Sequence, residues 1–151
     1  MKVELTEKTV CAGREVELIK ITEDVKETVK SSRVKDGVVF IISAHTTAGI
    51  TMNEGLPCVE KDLIDKLDKM VPCDDIYAHA HFLPSYGATG GNSPGHIKSM
   101  LAGSHCVLPV KDGNMVLGHA QDIYFAEFDG IKNRKYSVSY THLTLPTICS
   151  V

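Results

Sequence analysis

The sequence predicts an α+β fold: a mainly antiparallel, β-sandwich-like sheet carrying about three helices in a single domain. Three observations point there. Short runs of β-branched and aromatic residues, several alternating apolar with polar, recur from Val3 to Tyr140. Helical spacing or a helix-start signal marks only a few segments. The strand-like runs gather before and after those helices rather than alternating with them, which argues against a parallel, doubly wound sheet. A length of 151 residues suits one domain with a core of its own.

Residues 2 to 10 alternate and read as a strand; Cys11-Ala12-Gly13-Arg14 supplies a turn, and residues 15 to 21 alternate again. Thr22 is placed to cap a helix over residues 23 to 32, with Glu23 and Asp24 in its first turn and Val25 and Val29 on its buried face. Asp36-Gly37 turns the chain into residues 38 to 43, its most apolar run and the expected central strand. Pro57 suits the first turn of a second helix reaching Met70, because Val59, Leu63, Leu67 and Met70 fall at helical spacing. No period is visible from Pro72 to Asn92, and about twenty residues is long for a plain connection. That segment reads as a functional loop, with His79 and His81 on one face of extended chain. Ser93 as cap and Pro94 in the first turn open a third helix, to about Ala102. Strands over residues 106 to 110, 115 to 117, 121 to 128 and 135 to 140 complete the order.

Composition narrows the function classes. The net charge of −3 and the lack of a basic stripe offer nothing to nucleic acid. No apolar stretch approaches a membrane span, and the first residues lack a signal-peptide pattern, so a cytoplasmic protein is expected. The five cysteines are scattered and form no Cys-x-x-Cys pair, which argues against a disulfide framework or a thiolate zinc site.

Chemistry concentrates after the central strand. His45-Thr46-Thr47-Ala48-Gly49-Ile50-Thr51-Met52-Asn53-Glu54 brings an imidazole, hydroxyls, an amide and a carboxylate within ten residues. The glycine-rich approach to Asn92-Ser93-Pro94-Gly95-His96 exposes backbone N–H groups at the positive end of a helix, a candidate anion site. Two schemes stay open. Histidines from separate loops (His45, His79, His96), with carboxylates at Glu54, Glu127 and Asp129, suit a divalent metal, zinc or magnesium. Alternatively His45 and Glu54 move protons while threonine hydroxyls and helix N–H groups hold an oxyanion. Both schemes imply a small anionic, phosphorylated substrate.

The 45–54 stretch resembles the signature of the YjbQ-like family, the secondary thiamine-phosphate synthases. So do Tyr77-Ala78-His79, Gly95-His96-Ile97-Lys98, Leu108-Pro109-Val110 with Asp112-Gly113, Leu117-Gly118 with Gln121, and Tyr124-Phe125-Ala126-Glu127-Phe128-Asp129-Gly130. The similarity runs over about residues 1 to 138. It implies a homotrimer with sites near subunit interfaces, and an activity joining a pyrimidine diphosphate to a thiazole phosphate. By the same resemblance His45, Thr46, Thr47, Asn53, Glu54, His79, Asn92, His96, Gln121, Glu127 and Asp129 line the site; among them His45, Glu54, Glu127 and Asp129 are the expected catalytic groups, and Thr46, Thr47, Asn53, Asn92 and Gln121, with Ser93 and Gly95 of the helix start, are expected to bind substrate or phosphate. The alternatives are a metal-dependent hydrolase of phosphorylated substrates with Glu54 as base, or a trimeric metabolite-binding protein without turnover. Ile131-Lys132 stands where the family has Pro-Arg, and His119-Ala120 where it has Thr-Trp. Residues 140–151 match nothing in the family and read as a non-native tail, placing the domain at residues 1–139.

Overall fold

The computed structural model describes residues 3–81 and 91–142. Strand β1 (Val3–Cys11) and strand β2 (Glu17–Lys20) lead into helix α1 (Thr22–Ser32), followed by β3 (Gly37–Ser43) and β4 (Ala48–Glu54). Helices α2 (Pro57–Met70), α3 (Ala78–His81) and α4 (Ser93–Ala102) come next. The chain closes with β5 (His105–Lys111), β6 (Asn114–Met115), β7 (Gln121–Glu127) and β8 (Asn133–His142). Two sheets form, ordered β1-β8-β3-β5-β6 and β2-β7-β4, with every pairing antiparallel.

The α+β reading therefore holds. Alternation sets the layers: Val39 and Ile41 of β3, Leu108 and Val110 of β5, and Tyr136, Val138 and Tyr140 of β8 are buried in one cluster. Ile50 of β4, Ile123 and Phe125 of β7, and Val25 and Val29 of α1 belong to the same cluster. Helix α4 packs against β4 and β7. Two glycines permit this approach. A Cβ on Gly49 would stand 2.6 Å from the Gly103 carbonyl oxygen, and one on Gly95 would stand 2.9 Å from that of Phe128.

Several local expectations change. Residues 48–54, for which the sequence suggests no element, form β4; Ala48 and Ile50 enter the core and Gly49 lies under α4. Residues 78–81, expected to be extended, make a helical turn, for which Ala78 and Ala80 are good formers. Thr22 is the first residue of α1 and not its cap. Its hydroxyl donates to Asp122 Oδ1 at 2.5 Å and accepts from the Ile123 amide at 2.9 Å, competing partners on β7. Asn92, not Ser93, is the N-cap residue of α4, and its side chain is spent on Asp129. Strand β8 runs to His142, past the 140 expected for the last strand and into the stretch read as tail: Tyr140 is buried, with its hydroxyl on Glu4 Oε2 at 2.8 Å. The remainder of the expected tail, residues 143–151, and residues 82–90 of the expected loop lie outside the described residues.

Candidate active site

The loop between β3 and β4, the turn between β7 and β8, and the first turn of α4 converge on one buried network. Glu127, wholly buried, closes β7. Its Oε1 accepts the Phe128 and Asp129 amides at 3.1 and 2.8 Å, which holds the turn. Arg134 of β8 grips the same carboxylate through Nε (2.6 Å to Oε2) and Nη2 (3.0 Å to Oε1). That pairing raises the Arg134 pKa further, against its partial burial. Arg134 Nη2 also donates to the Thr47 hydroxyl at 3.0 Å, and Thr47 is fully buried.

Thr47 joins two hollows. On one side its hydroxyl lies 3.4 Å from Asp129 Oδ2, which also takes Asn92 Nδ2 at 3.0 Å and Lys132 Nζ at 2.8 Å. Burial raises the Asp129 pKa, but the bonds from Lys132 and Asn92 outweigh it, and the net shift is downward. This side opens into a cleft of about 360 Å³ lined by Asn92, Pro94, Gly95, Phe128, Asp129 and Lys132, with Glu15, Cys73 and Gly91 at its margin. The buried Asn92 Oδ1 has no hydrogen-bond partner among the described residues.

On the other side His45 Nδ1 sits 2.9 Å from the Thr47 hydroxyl and accepts the Thr47 amide at 3.1 Å. Burial and then the Arg134 charge lower the His45 pKa, against the opposing pull of Glu127 and Asp129. His45 and Thr46 line a groove of about 720 Å³ with His96, Ser99, Met100 and His105. The Ser99 hydroxyl donates to the Thr46 carbonyl at 2.5 Å, pinning α4 to this loop.

With that geometry in view, the relatives decide the lineage. A family model described as UPF0047 protein YjbQ-like matches residues 6–142. The chain belongs to this family. It is 41% identical over 123 residues to a UPF0047 protein of Methanocaldococcus jannaschii, covering 81% of this chain and 83% of that one. UPF0047 protein YugU of Bacillus subtilis is 36% identical over 119 residues, 78% of this chain and 84% of that protein. Among solved structures, a YbjQ-like protein of Sulfolobus solfataricus aligns with a TM-score of 0.86 at 28% identity, covering 93% of this chain and 98% of its own. A YjbQ/UPF0047 protein of Clostridium acetobutylicum aligns at 0.81 with 38% identity, covering 90% and 99%.

The YjbQ-like fold brings together His45, Thr46, Thr47, Asn92, Ser93, Gly95, His96, Glu127 and Asp129. It separates Asn53, Glu54 and Gln121, which lie at the far end of β4 and β7. Six residues of strand put Glu54 about 20 Å from Ala48. Glu54 and Gln121 border a different hollow, with Lys26, His119 and Asp122. Gln121 Oε1 accepts the Gly118 amide there, and Asn53 Oδ1 the Glu54 amide, both local turn bonds.

The histidines expected to hold metal are only partly assembled. His79 and His96 meet edge to face with ring centroids 5.6 Å apart. No group of three or more His, Cys, Asp or Glu side chains among the described residues is placed to hold a metal ion. His45 fits such a group poorly, because its Nδ1 already accepts a backbone amide. Arg134 and the contact made by Lys132 went unanticipated. A signal for Arg134 existed: it shares the inward-facing parity of Tyr136, Val138 and Tyr140, and an inward charge needs a buried partner.

Proposed function

We propose that this protein is a transferase of the thiamine-phosphate synthase type, joining a pyrimidine diphosphate to a thiazole phosphate with release of pyrophosphate. The observation that carries the reading is the network centred on Thr47, whose hydroxyl stands 2.9 Å from His45 Nδ1 on one side and 3.4 Å from Asp129 Oδ2 on the other and so links two places for two substrates. The cleft supplies what a phosphorylated group needs: the Lys132 ammonium and the amino end of α4. The bond from the pyrimidine methylene to the diphosphate breaks as the thiazole nitrogen attacks, and the charge gathers on the departing diphosphate.

Charge balance refines the substrate. Arg134 and Lys132 are matched by Glu127 and Asp129. A diphosphate, carrying several negative charges, therefore suits the cleft better as its magnesium complex than bare, with Asp129 as the protein ligand. The YjbQ-like resemblance also supports a homotrimer. Val3, Leu5, Ile42 and Val107 leave apolar surface on the outer face of the larger sheet, which suits burial against another copy.

The experiment is a thiamine-phosphate synthesis assay with elemental analysis, comparing wild type with His45→Ala and Asp129→Asn. Turnover that falls at least about a hundredfold in both variants is expected, as for loss of a charged hydrogen-bond partner in the transition state. Magnesium pyrophosphate binding without any turnover would sink the transferase reading and leave a metabolite-binding protein. Bound zinc with phosphate-ester hydrolysis would replace it with the hydrolase.

A further inference from the structure

The hydrogen bonds around His45 fix more than its position. A hydroxyl near an imidazole nitrogen says little about protonation, since it donates or accepts as needed. A backbone amide only donates. Because the Thr47 amide points at His45 Nδ1 at 3.1 Å, Nδ1 carries a lone pair and the proton of the neutral ring sits on Nε2. The arrangement is a local side-chain-to-backbone turn, residue i accepting from i+2, and belongs to the loop itself. Thr47 cannot readily swing away. It is fully buried, its hydroxyl takes Arg134 Nη2 at 3.0 Å, and its carbonyl accepts the Phe128 amide at 3.2 Å.

We propose that His45 is locked as the Nε2–H tautomer and serves the site as a neutral hydrogen-bond donor to an anionic substrate oxygen, not as a base or a metal ligand. Nε2 lies across the ring from the Thr47 contacts, has no partner among the described residues, and belongs to the groove shared with Thr46, His96 and Ser99. Acting as a base at Nδ1 would set a new N–H against the Thr47 amide, donor against donor. Ligating a metal through Nε2 would require that nitrogen to lose its proton while Nδ1 has none, which a neutral imidazole does not do. The surroundings favour the uncharged ring: burial and Arg134 disfavour the imidazolium, with Lys132 adding to them and Glu127 and Asp129 opposing. A neutral imidazole holding an oxyanion is an established catalytic device. No proton need be transferred, since the donor's work is to stabilise charge that develops on the oxygen.

This inference rests on reading the hollows around Thr47 as a substrate site, and its test separates the two. Long-range proton–nitrogen NMR on the intact protein, with His45 assigned through His45→Gln, reads the tautomer directly. Nε2 protonated and Nδ1 bare at neutral pH is the expected result. A proton on Nδ1, a charged ring, or a zinc-induced shift of the His45 resonances would overturn it. Binding of a thiazole phosphate, the substrate left for the groove when the diphosphate occupies the cleft, measured by calorimetry then tests the donor role. Loss of a hydrogen bond to a charged group should weaken binding about ten- to a hundredfold in His45→Ala. His45→Gln, whose amide N–H reaches the same place as Nε2–H, should recover most of that loss. Equal losses in the two variants would overturn the donor role. Absent thiamine-phosphate formation, with the tautomer and the contrast between variants intact, would reject the transferase and leave this inference standing.

Discussion

At the scale of single residues, the site depends on a charge pair almost wholly shut off from solvent. Arg134 and Glu127 are nearly and wholly buried, so each is tolerable only because of the other. Arg134→Met should destabilise the protein by about 3–5 kcal/mol, as for a buried carboxylate stripped of its partner. Glu127→Gln added to it should recover a good part, because the amide oxygen still accepts the Phe128 and Asp129 amides while the charge is gone. Urea denaturation of both variants checks this, and a double variant no more stable than the single would show that the charge is not the cost. Pyrophosphate binding should fall in both, since Thr47 loses the guanidinium that orients it. These roles explain why the sequence marks Glu127 as a site residue yet conceals its function. The residue types in Glu127-Phe128-Asp129 announce chemistry, but only the fold shows one carboxylate turned inward onto Arg134 and the other toward the cleft.

At the scale of elements, α4 is the piece whose placement makes the site. Its first turn reaches the β7–β8 turn only because position 95 has no side chain; a Cβ there would also meet Asp129 Cβ at 3.2 Å and Thr47 Cβ at 3.3 Å. Gly95→Ala gains about 1 kcal/mol of helix propensity, but overpacking against the Phe128 carbonyl costs about 1–3 kcal/mol. A net loss of stability with weakened pyrophosphate binding is therefore expected, read by thermal denaturation and calorimetry. A more stable Gly95→Ala with unchanged binding would mean that α4 settles elsewhere at no cost. Legibility follows the same line. Helix α1 and most strands show in the sequence because each buries one regular stripe, and α2 because the half-buried Val59, Leu63 and Leu67 fall at helical spacing. Strand β4 does not: its buried stripe is only Ala48 and Ile50, the face under α4 carries Gly49, and its polar end, Asn53-Glu54, looks like a continuation of the His45 site. Adjacency in sequence is not adjacency in space when the intervening residues are extended. That is why Asn53, Glu54 and Gln121, plausible site residues on paper, lie at the opposite end of the smaller sheet from Asp129.

At the scale of the whole molecule, one surface and one pH profile are open to test. Across the larger sheet the register aligns Leu5, Ser139, Phe40 and Val107 in a row on its outer face, with Leu5 and Val107 exposed. A trimer that buries this row should appear in sedimentation equilibrium, and Leu5→Lys with Val107→Lys should yield folded monomers. Trimers that survive both changes would place the interface elsewhere. The pH profile follows from one partly buried hydrogen bond, Tyr136 to Asp24 Oδ2 at 2.6 Å, which ties β8 to α1. Burial first, then this bond, raises the Tyr136 pKa well above the ordinary tyrosine range. The same bond is the main cause lowering Asp24, helped by Lys8 and opposed by burial. The signs differ between the two flanks. Asp24 ionises more readily folded than unfolded, so its contribution is present above about pH 4 and fades as pH falls through its folded value. Tyr136 ionises less readily folded than unfolded, so its contribution is present below about pH 10 and fades as pH rises beyond. Tyr136→Phe removes both at once. Its urea midpoint at neutral pH should fall by the equivalent of about 1.5–3 kcal/mol, the range for a hydrogen bond to a charged group. Between neutral pH and either extreme it should then lose less than the wild type does. A variant whose acid and alkaline flanks stay parallel to those of the wild type would show that other groups govern both transitions and that the Tyr136–Asp24 bond only packs β8 against α1.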